Sequence, residues 1–203
     1  MSTNSNPWLK TIAEQEGAIS LLERKLVVAQ HTNSEFTALS VAQHAHLQTL
    51  QTVCCSALEL EQPKELFLEA VRAIVTQLHW SSAMVIQLVS DEITVLAAYQ
   101  STEGQLQHIR RFGAKTPALV SAALASREIS TFKNQDTEAL ALRVLFSTDN
   151  VIAVPILAHG LQYGYLVACS HGVEHRNSPT ELQFLANLAT VLASAVWRIN
   201  RIT

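Results

Sequence analysis

Cysteine is scarce in this chain: three in 203 residues, with Cys54 and Cys55 adjacent and Cys169 far along the sequence. Such a set cannot frame a disulfide-stapled fold, and it fits a reducing compartment. Charge is sparse as well. Charged residues make up 15%, and 14 Lys+Arg stand against 17 Asp+Glu, for a net charge of -3. General binding to a phosphate backbone calls for a basic surface, so that activity is not expected. No uninterrupted apolar run of about 18 residues is present, and the opening residues before Lys10 lack an apolar signal core. The expectation is a cytoplasmic protein with no nucleic-acid and no membrane partner. A Gly-rich phosphate loop, a nucleophile elbow and a zinc-protease helix are also missing, so the chain is expected to be a non-enzyme without metal or cofactor. What the chain does have is apolar material, 48% of its residues. That suffices for a core, in a length that suits one domain plus an extension.

Composition shifts near Glu61-Gln62-Pro63, which sets the expected boundary: a helical extension over 1–58 and a compact domain over 59–203. From Trp8 to about Leu58 the residues favour helix, with Pro7 where a helix begins. A three-four spacing selects Ile12, Gln15, Ile19, Leu22, Leu26, Ala29, Asn33, Phe36, Ser40, Gln43, Leu47, Leu50 and Cys54. An apolar seam sustained over several heptads is what a coiled coil needs. Asn33, Ser40 and Gln43 place polar groups in that seam, where they set register or partner number at a cost in stability. A helix folded back on its own domain, broken near His31-Thr-Asn-Ser34, is the alternative.

After Pro63 the rhythm changes. Lys64 to Leu78 reads as an amphipathic helix. Ser82–Val89 and Glu92–Tyr99 read as strands around a turn at Ser90-Asp91, and Gln105–Arg111 as a poorer one. Short helices are expected from Pro117 to Ser126 and from Thr137 to Phe146, with a strand at Glu128–Phe132 between them. Val151–Ala158 and Leu161–Cys169 flank a turn at His159-Gly160, and Pro155 implies an edge or a bulge. Ser178, Pro179 and Glu181 open a final helix that reaches about Asn200. That helix carries two apolar seams, Leu182, Leu185, Ala189, Leu192, Val196 and Ile199, then Phe184, Leu188, Val191 and Ala195. Gln183, Asn187, Thr190, Ser194 and Arg198 are left for water. One sheet face needs one stripe, so two stripes predict a second contact, either with the N-terminal helix or with a second subunit. The expected homodimer interface comprises Leu22, Leu26, Phe36, Leu47, Leu50, Leu185, Leu192 and Val196.

The order of helix, hairpin, irregular middle, hairpin and helix resembles a GAF domain. The likeness is concentrated in Asn150-Val-Ile-Ala-Val-Pro-Ile156, Gly160, Tyr163-Gly-Tyr-Leu-Val-Ala168 and Ser178-Pro-Thr-Glu-Leu-Gln-Phe-Leu-Ala-Asn-Leu-Ala189. It covers about Leu58 to Arg201. The resemblance implies an α+β fold: a central antiparallel sheet with terminal helices on one face and the variable middle segment on the other, preceded by the long N-terminal helix. It also implies a dimeric sensor or signal-relay module with a small-molecule pocket under the middle segment.

Ligand types known in that family can be set against the residues. Covalent bilin attachment needs a Cys in the middle segment, and 101–150 hold none. Methionine-sulfoxide reduction needs several cysteines around the pocket, whereas Cys169 reads as a small buried apolar residue. The cyclic-nucleotide pattern is only faintly echoed by Phe132-Lys133-Asn134 and Asp136. His44 and His46 point about 200° apart on a helix and cannot share a metal. His171, Glu174 and His175 have ligand-like spacing in a loop without a nearby Cys, and they are read as a polar surface loop rather than a metal site. Arg111, Phe112, Lys115, Phe132, Arg143 and Phe146 form a candidate pocket for an anionic ligand, with solvated surface as the alternative for the cations. The expected function is a non-catalytic regulatory module whose output passes through a separate signalling partner. A scaffolding protein, its pocket filled by Phe112, Phe132 and Phe146, is the alternative.

Overall fold

The computed structural model describes residues 7–89, 92–101, 104–105, 126–132, 150–170 and 178–202. The chain divides into two compact units, Met1–His44 and Ala45–Thr203. The second unit takes in the end of the first helix.

Helix α1 (Pro7–Glu59) runs through the expected break. At that place Ser34 donates its hydroxyl to the His31 carbonyl, Thr37 does the same to Asn33, and His31 lies 3.2 Å from Glu35 one turn on. These side chains satisfy themselves along the helix and leave the backbone ladder intact. In the first unit Leu22, Leu26 and Phe36 are 64%, 58% and 71% exposed.

The second unit is a six-stranded antiparallel sheet among the described residues, ordered β3-β2-β1-β6-β5-β4. Its strands are β1 (Ser82–Val89), β2 (Glu92–Gln100), β3 (Gly104–Gln105), β4 (Ser130–Phe132), β5 (Asn150–Ala158) and β6 (Leu161–Ser170). Helices α2 (Pro63–Leu78) and α3 (Pro179–Ile202) complete it. Both hairpins and both helices follow the sequence reading. His159 and Gly160 take φ of 51° and 78°, the pair of left-handed residues that a two-residue hairpin turn requires. Pro155 lies beyond β4, which pairs only with Val151–Ala153, so no ladder bond is lost there to a described neighbour. Ser178 caps α3: the Glu181 amide donates to Ser178 Oγ at 3.2 Å, and that hydroxyl donates to the Glu181 carboxylate at 3.3 Å.

One sheet face carries the core. Ala83, Val85, Ala97, Ile152, Val154, Ile156, Leu166 and Ala168 pack with α2 and α3. The second stripe of α3 is covered as well, by Val53 and Ala57 of α1 and by α2. Leu185, Leu192 and Val196 are only 1%, 0% and 3% exposed within the single chain. Their assignment to a dimer interface is therefore corrected: both flanks of α3 are sheltered by its own subunit. Leu50 is likewise half-buried against this core, while Leu47 stays 65% exposed. By length and composition α3 could cross a bilayer, yet half of the stretch is buried in the fold, as in the core helix of a soluble domain.

Two register shifts shape the sheet. Val85 pairs with Ala97 but Ile86 pairs with Val95, so Leu96 is an extra residue in β2. Ile156 pairs with Gly164 but Leu157 pairs with Gln162, so Tyr163 is an extra residue in β6. Beside the second bulge Gly164 has φ 149°, and a Cβ there would sit 2.5 Å from the Ile86 carbonyl oxygen.

Gly164→Ala must displace a backbone carbonyl in the central strand pair and should cost about 2 kcal/mol or more in urea unfolding. Leu192→Ala should cost about 2–5 kcal/mol by the same measurement, whereas Leu22→Ala should change the stability of the monomer by under about 0.5 kcal/mol.

Candidate functional site

The face of the sheet turned away from α2 and α3 is also apolar and buried. Met84, Ile86, Ile93, Val95, Ala98, Val151, Ala153, Tyr165, Val167 and Cys169 form a second cluster there. Register arranges it in rows across the strands. Ser82, Cys169 and Val151 make one; Ala98, Met84, Val167 and Ala153 the next; Val95, Ile86, Tyr165 and Pro155 the third. Residues paired across antiparallel strands share a face, which places Ser82 on this one. The Leu96 bulge is what brings Val95 and Ala98, an odd and an even position, to the same side.

Few polar groups interrupt this floor. The Tyr165 phenol is buried, which raises its pKa above the ordinary 10.0; a hydrogen bond shared with the Gln162 side chain and the charge of Arg127 act in the opposite sense. The Ser82 hydroxyl is buried without a hydrogen-bond partner, a state that costs about 1–3 kcal/mol. Cys169 is fully buried. Among the described residues no group of three or more His, Cys, Asp or Glu could hold a metal ion.

A second feature is the junction of the end of α1 with α3. Arg198 donates to the carbonyls of Ala57 and Leu60, two of the acceptors left open where α1 ends, and its positive charge suits the negative end of that helix dipole. Its assignment to the water-facing stripe is thereby corrected; Gln183, Asn187, Thr190 and Ser194 of that stripe do stay exposed. Nearby the His46 ring stacks on Phe184, centroids 4.3 Å apart and planes 13° off parallel. Burial lowers the His46 pKa below its ordinary 6.5, because the contact favours the neutral ring. His159, at the hairpin tip, packs on Trp197 at 4.2 Å, and Arg201 stacks on the same indole.

Solved structures share this architecture. The phycocyanobilin-bound GAF domain of a cyanobacterial phytochrome matches with a TM-score of 0.64 at 14% identity, covering 77% of this chain and 96% of that one. The fold is GAF-like. A methyl-accepting chemotaxis protein, residues 122 to 287, matches this GAF-like chain at 0.61 and 12% identity, with 74% and 98% covered. The free methionine-R-sulfoxide reductase of Neisseria meningitidis, solved with its substrate, gives 0.61 and 16%, with 78% and 92% covered. No family model matches the sequence, and no curated protein does.

Of the candidate ligand residues, Arg111, Phe112, Lys115, Arg143 and Phe146 lie outside the described residues, as do His171, Glu174 and His175. The backbone of β4 places Phe132 opposite Val151, in the row that contains Cys169 and Ser82. In this GAF-like unit the cysteines do not converge: Cys54 and Cys55 are exposed on α1 and Cys169 is buried in β6. Sequence reasoning missed Tyr165, Ser82, His46 and Arg198. Alternation along β6 could have put Tyr165 beside Val167 and Cys169; the other three carry no local signal.

The His46 contact gives stability a pH dependence of defined sign. Below 6.5 the unfolded chain takes up a proton at this ring that the folded chain resists, so the contribution is whole above that pH and is lost as pH falls toward the lowered folded value. Urea midpoints at about pH 7.5 and about pH 5.5 should therefore show a smaller acid-side drop in His46→Phe than in the parent chain.

Proposed function

We propose that this chain is a non-catalytic regulatory module, in which the helix-remote face of the sheet holds a small molecule and the junction of α1 with α3 relays its presence. The observation that carries this reading is the floor itself. A broad apolar surface interrupted by one buried phenol and one unpartnered hydroxyl has the composition of a small-molecule site. Arg111, Phe112, Lys115, Phe132, Arg143 and Phe146 are its remaining candidates, the cations for a carboxylate or phosphate and the rings for stacking. The GAF-like likeness to a chromophore-bound phytochrome domain and to a chemotaxis protein supports a sensory role. With Cys54, Cys55 and Cys169 apart, thiol chemistry of the reductase kind is not part of this reading.

Relay requires two helix arrangements of similar energy and a ligand that distinguishes them; each 1.4 kcal/mol of difference is about tenfold in population. The end of α1 is docked by a small set of contacts, chiefly Val53, Ala57, His46 and Arg198. Such a docking is weak enough to be shifted. The module is dimeric through its helical extension and passes its output to a separate signalling protein in the cytoplasm. A purely scaffolding role is the second reading, favoured by the apolar character of the described floor.

Native mass spectrometry of protein purified from its own cells tests the choice. A retained small molecule, lost when Tyr165→Phe and Arg111→Gln are combined, is the expected outcome. A chain that carries no adduct, and whose urea midpoint does not respond to cell extract, would leave scaffolding as the function.

A further inference from the structure

The helix-remote face of the sheet has one polar end. Tyr165 pairs with Ile86 on one side and Pro155 on the other, and Leu157, two residues beyond Pro155, pairs with Gln162. Residues two apart on a strand share a face, as do residues paired across antiparallel strands. Gln162 therefore lies on the same face as Tyr165 although three positions separate them, and the extra residue at Tyr163 is what allows it.

Arg127 joins this pair from the edge of the sheet. β4 runs antiparallel to β5 with Ser130 opposite Ala153, so the residues ahead of Ser130 lie toward Pro155 and Tyr165, away from Cys169. Arg127 is the apex of a turn. The Glu128 amide donates to Ser126 Oγ at 3.3 Å, and Arg127 takes φ 61°, a conformation uncommon for a residue with a side chain. Its charge acts on the Tyr165 phenol, whose oxygen also accepts from the Gln162 side chain. Arg127 is exposed and Tyr165 only 1% exposed, so the guanidinium stands at the rim with the phenol behind it.

The capacity of this cluster is for an anion. Burial keeps the phenol protonated at neutral pH, so it has a proton to give while its oxygen accepts from Gln162. The guanidinium offers donors and no acceptor, in a fork that matches a planar pair of oxygens. One cation balances one negative charge, which a carboxylate carries, whereas a phosphate monoester carries about two. Beyond this end the floor is apolar through Ile86, Met84 and Val167 to the row of Cys169. Tyr165 to Cys169 is four residues of extended strand, about 13 Å.

We propose that Arg127, Tyr165 and Gln162 form the head site for a monocarboxylate whose apolar body, up to about 13 Å long, lies on Ile86, Met84 and Val167. The inference rests on the reading of this face as a small-molecule site, and adds the class of the ligand and its direction. The acid sits at the Arg127 rim and the alkyl or aryl tail points toward Cys169.

Sodium octanoate and octan-1-ol share a body and differ in the head, and calorimetric titration of the full chain with each reads the site. Octanoate should bind at least about tenfold more tightly than octanol. Arg127→Gln should erase that difference by weakening octanoate alone, and Arg127→Lys should keep part of it. Glu128→Gln, which removes the neighbouring charge, should not weaken octanoate. Because Arg127 is exposed, its variants should retain the parent's urea midpoint without ligand. Equal binding of the two probes, or octanoate binding unchanged in Arg127→Gln, overturns the head site and leaves the floor as a site for neutral molecules. A chain that binds neither probe, yet retains another small molecule in native mass spectrometry, overturns the carboxylate class alone. One that binds neither and retains nothing removes the small-molecule reading as well.

Discussion

The double burial of α3 is the constraint on which the second unit depends. One flank lies on β5 and β6 and the other meets α2 and the end of α1, which also meet each other through the hydrogen bond from Gln77 to Thr52. Leu185, Leu188 and Leu192 are each fully buried, and burial of each contributes about 1.5–3 kcal/mol. The same geometry explains why the end of α1 belongs to the compact unit rather than to the extension. Its partners are the apolar stripe of α3 and Arg198, which caps it. A change in how α1 sits would be felt by the helix that lies directly on the sheet, and this is the physical basis for treating the junction as a relay.

The two faces of the sheet are not equivalent. Both are apolar, but the helix face is small and branched, with Ala83, Val85, Ala97, Val154 and Ala168 allowing α2 and α3 to come close. The other face carries larger and more polarisable groups, Met84, Tyr165 and Cys169 among them, along with the unpartnered Ser82 hydroxyl. A buried hydroxyl without a partner also occurs on the helix side, at Ser170, so the two faces differ in the size and polarisability of their side chains rather than in unpaired polar groups.

Periodicity made much of this fold legible in advance. Strand alternation in β5 and β6, the His159-Gly160 turn and the Ser178-Pro179-Glu181 cap are local signals, and each corresponds to a feature of the structure. Two stripes on α3 were also legible, and so was the need for a second partner. Their partner was not, because Val53 and Ala57 of the same chain and a second copy of α1 offer equivalent apolar surface to a pattern that counts only spacing. Arg198 was misread for a related reason: its position in the polar stripe says nothing of the carbonyls that end α1 nearby. The site was less legible than the fold. Tyr165 lies in an alternating strand, but its neighbours on the floor come from β1, β2 and β5, and only the register assembles them.

Counting, more than chemistry, protects the helix-remote face. Because β2 spends one additional residue at Leu96 and β6 one at Tyr163, the chain can exchange one apolar side chain for another across the floor with modest effect. Removing a single residue from either strand would turn every position on one side of the deletion inside out. Variation in this lineage should consequently run through substitutions in these strands and keep their lengths fixed.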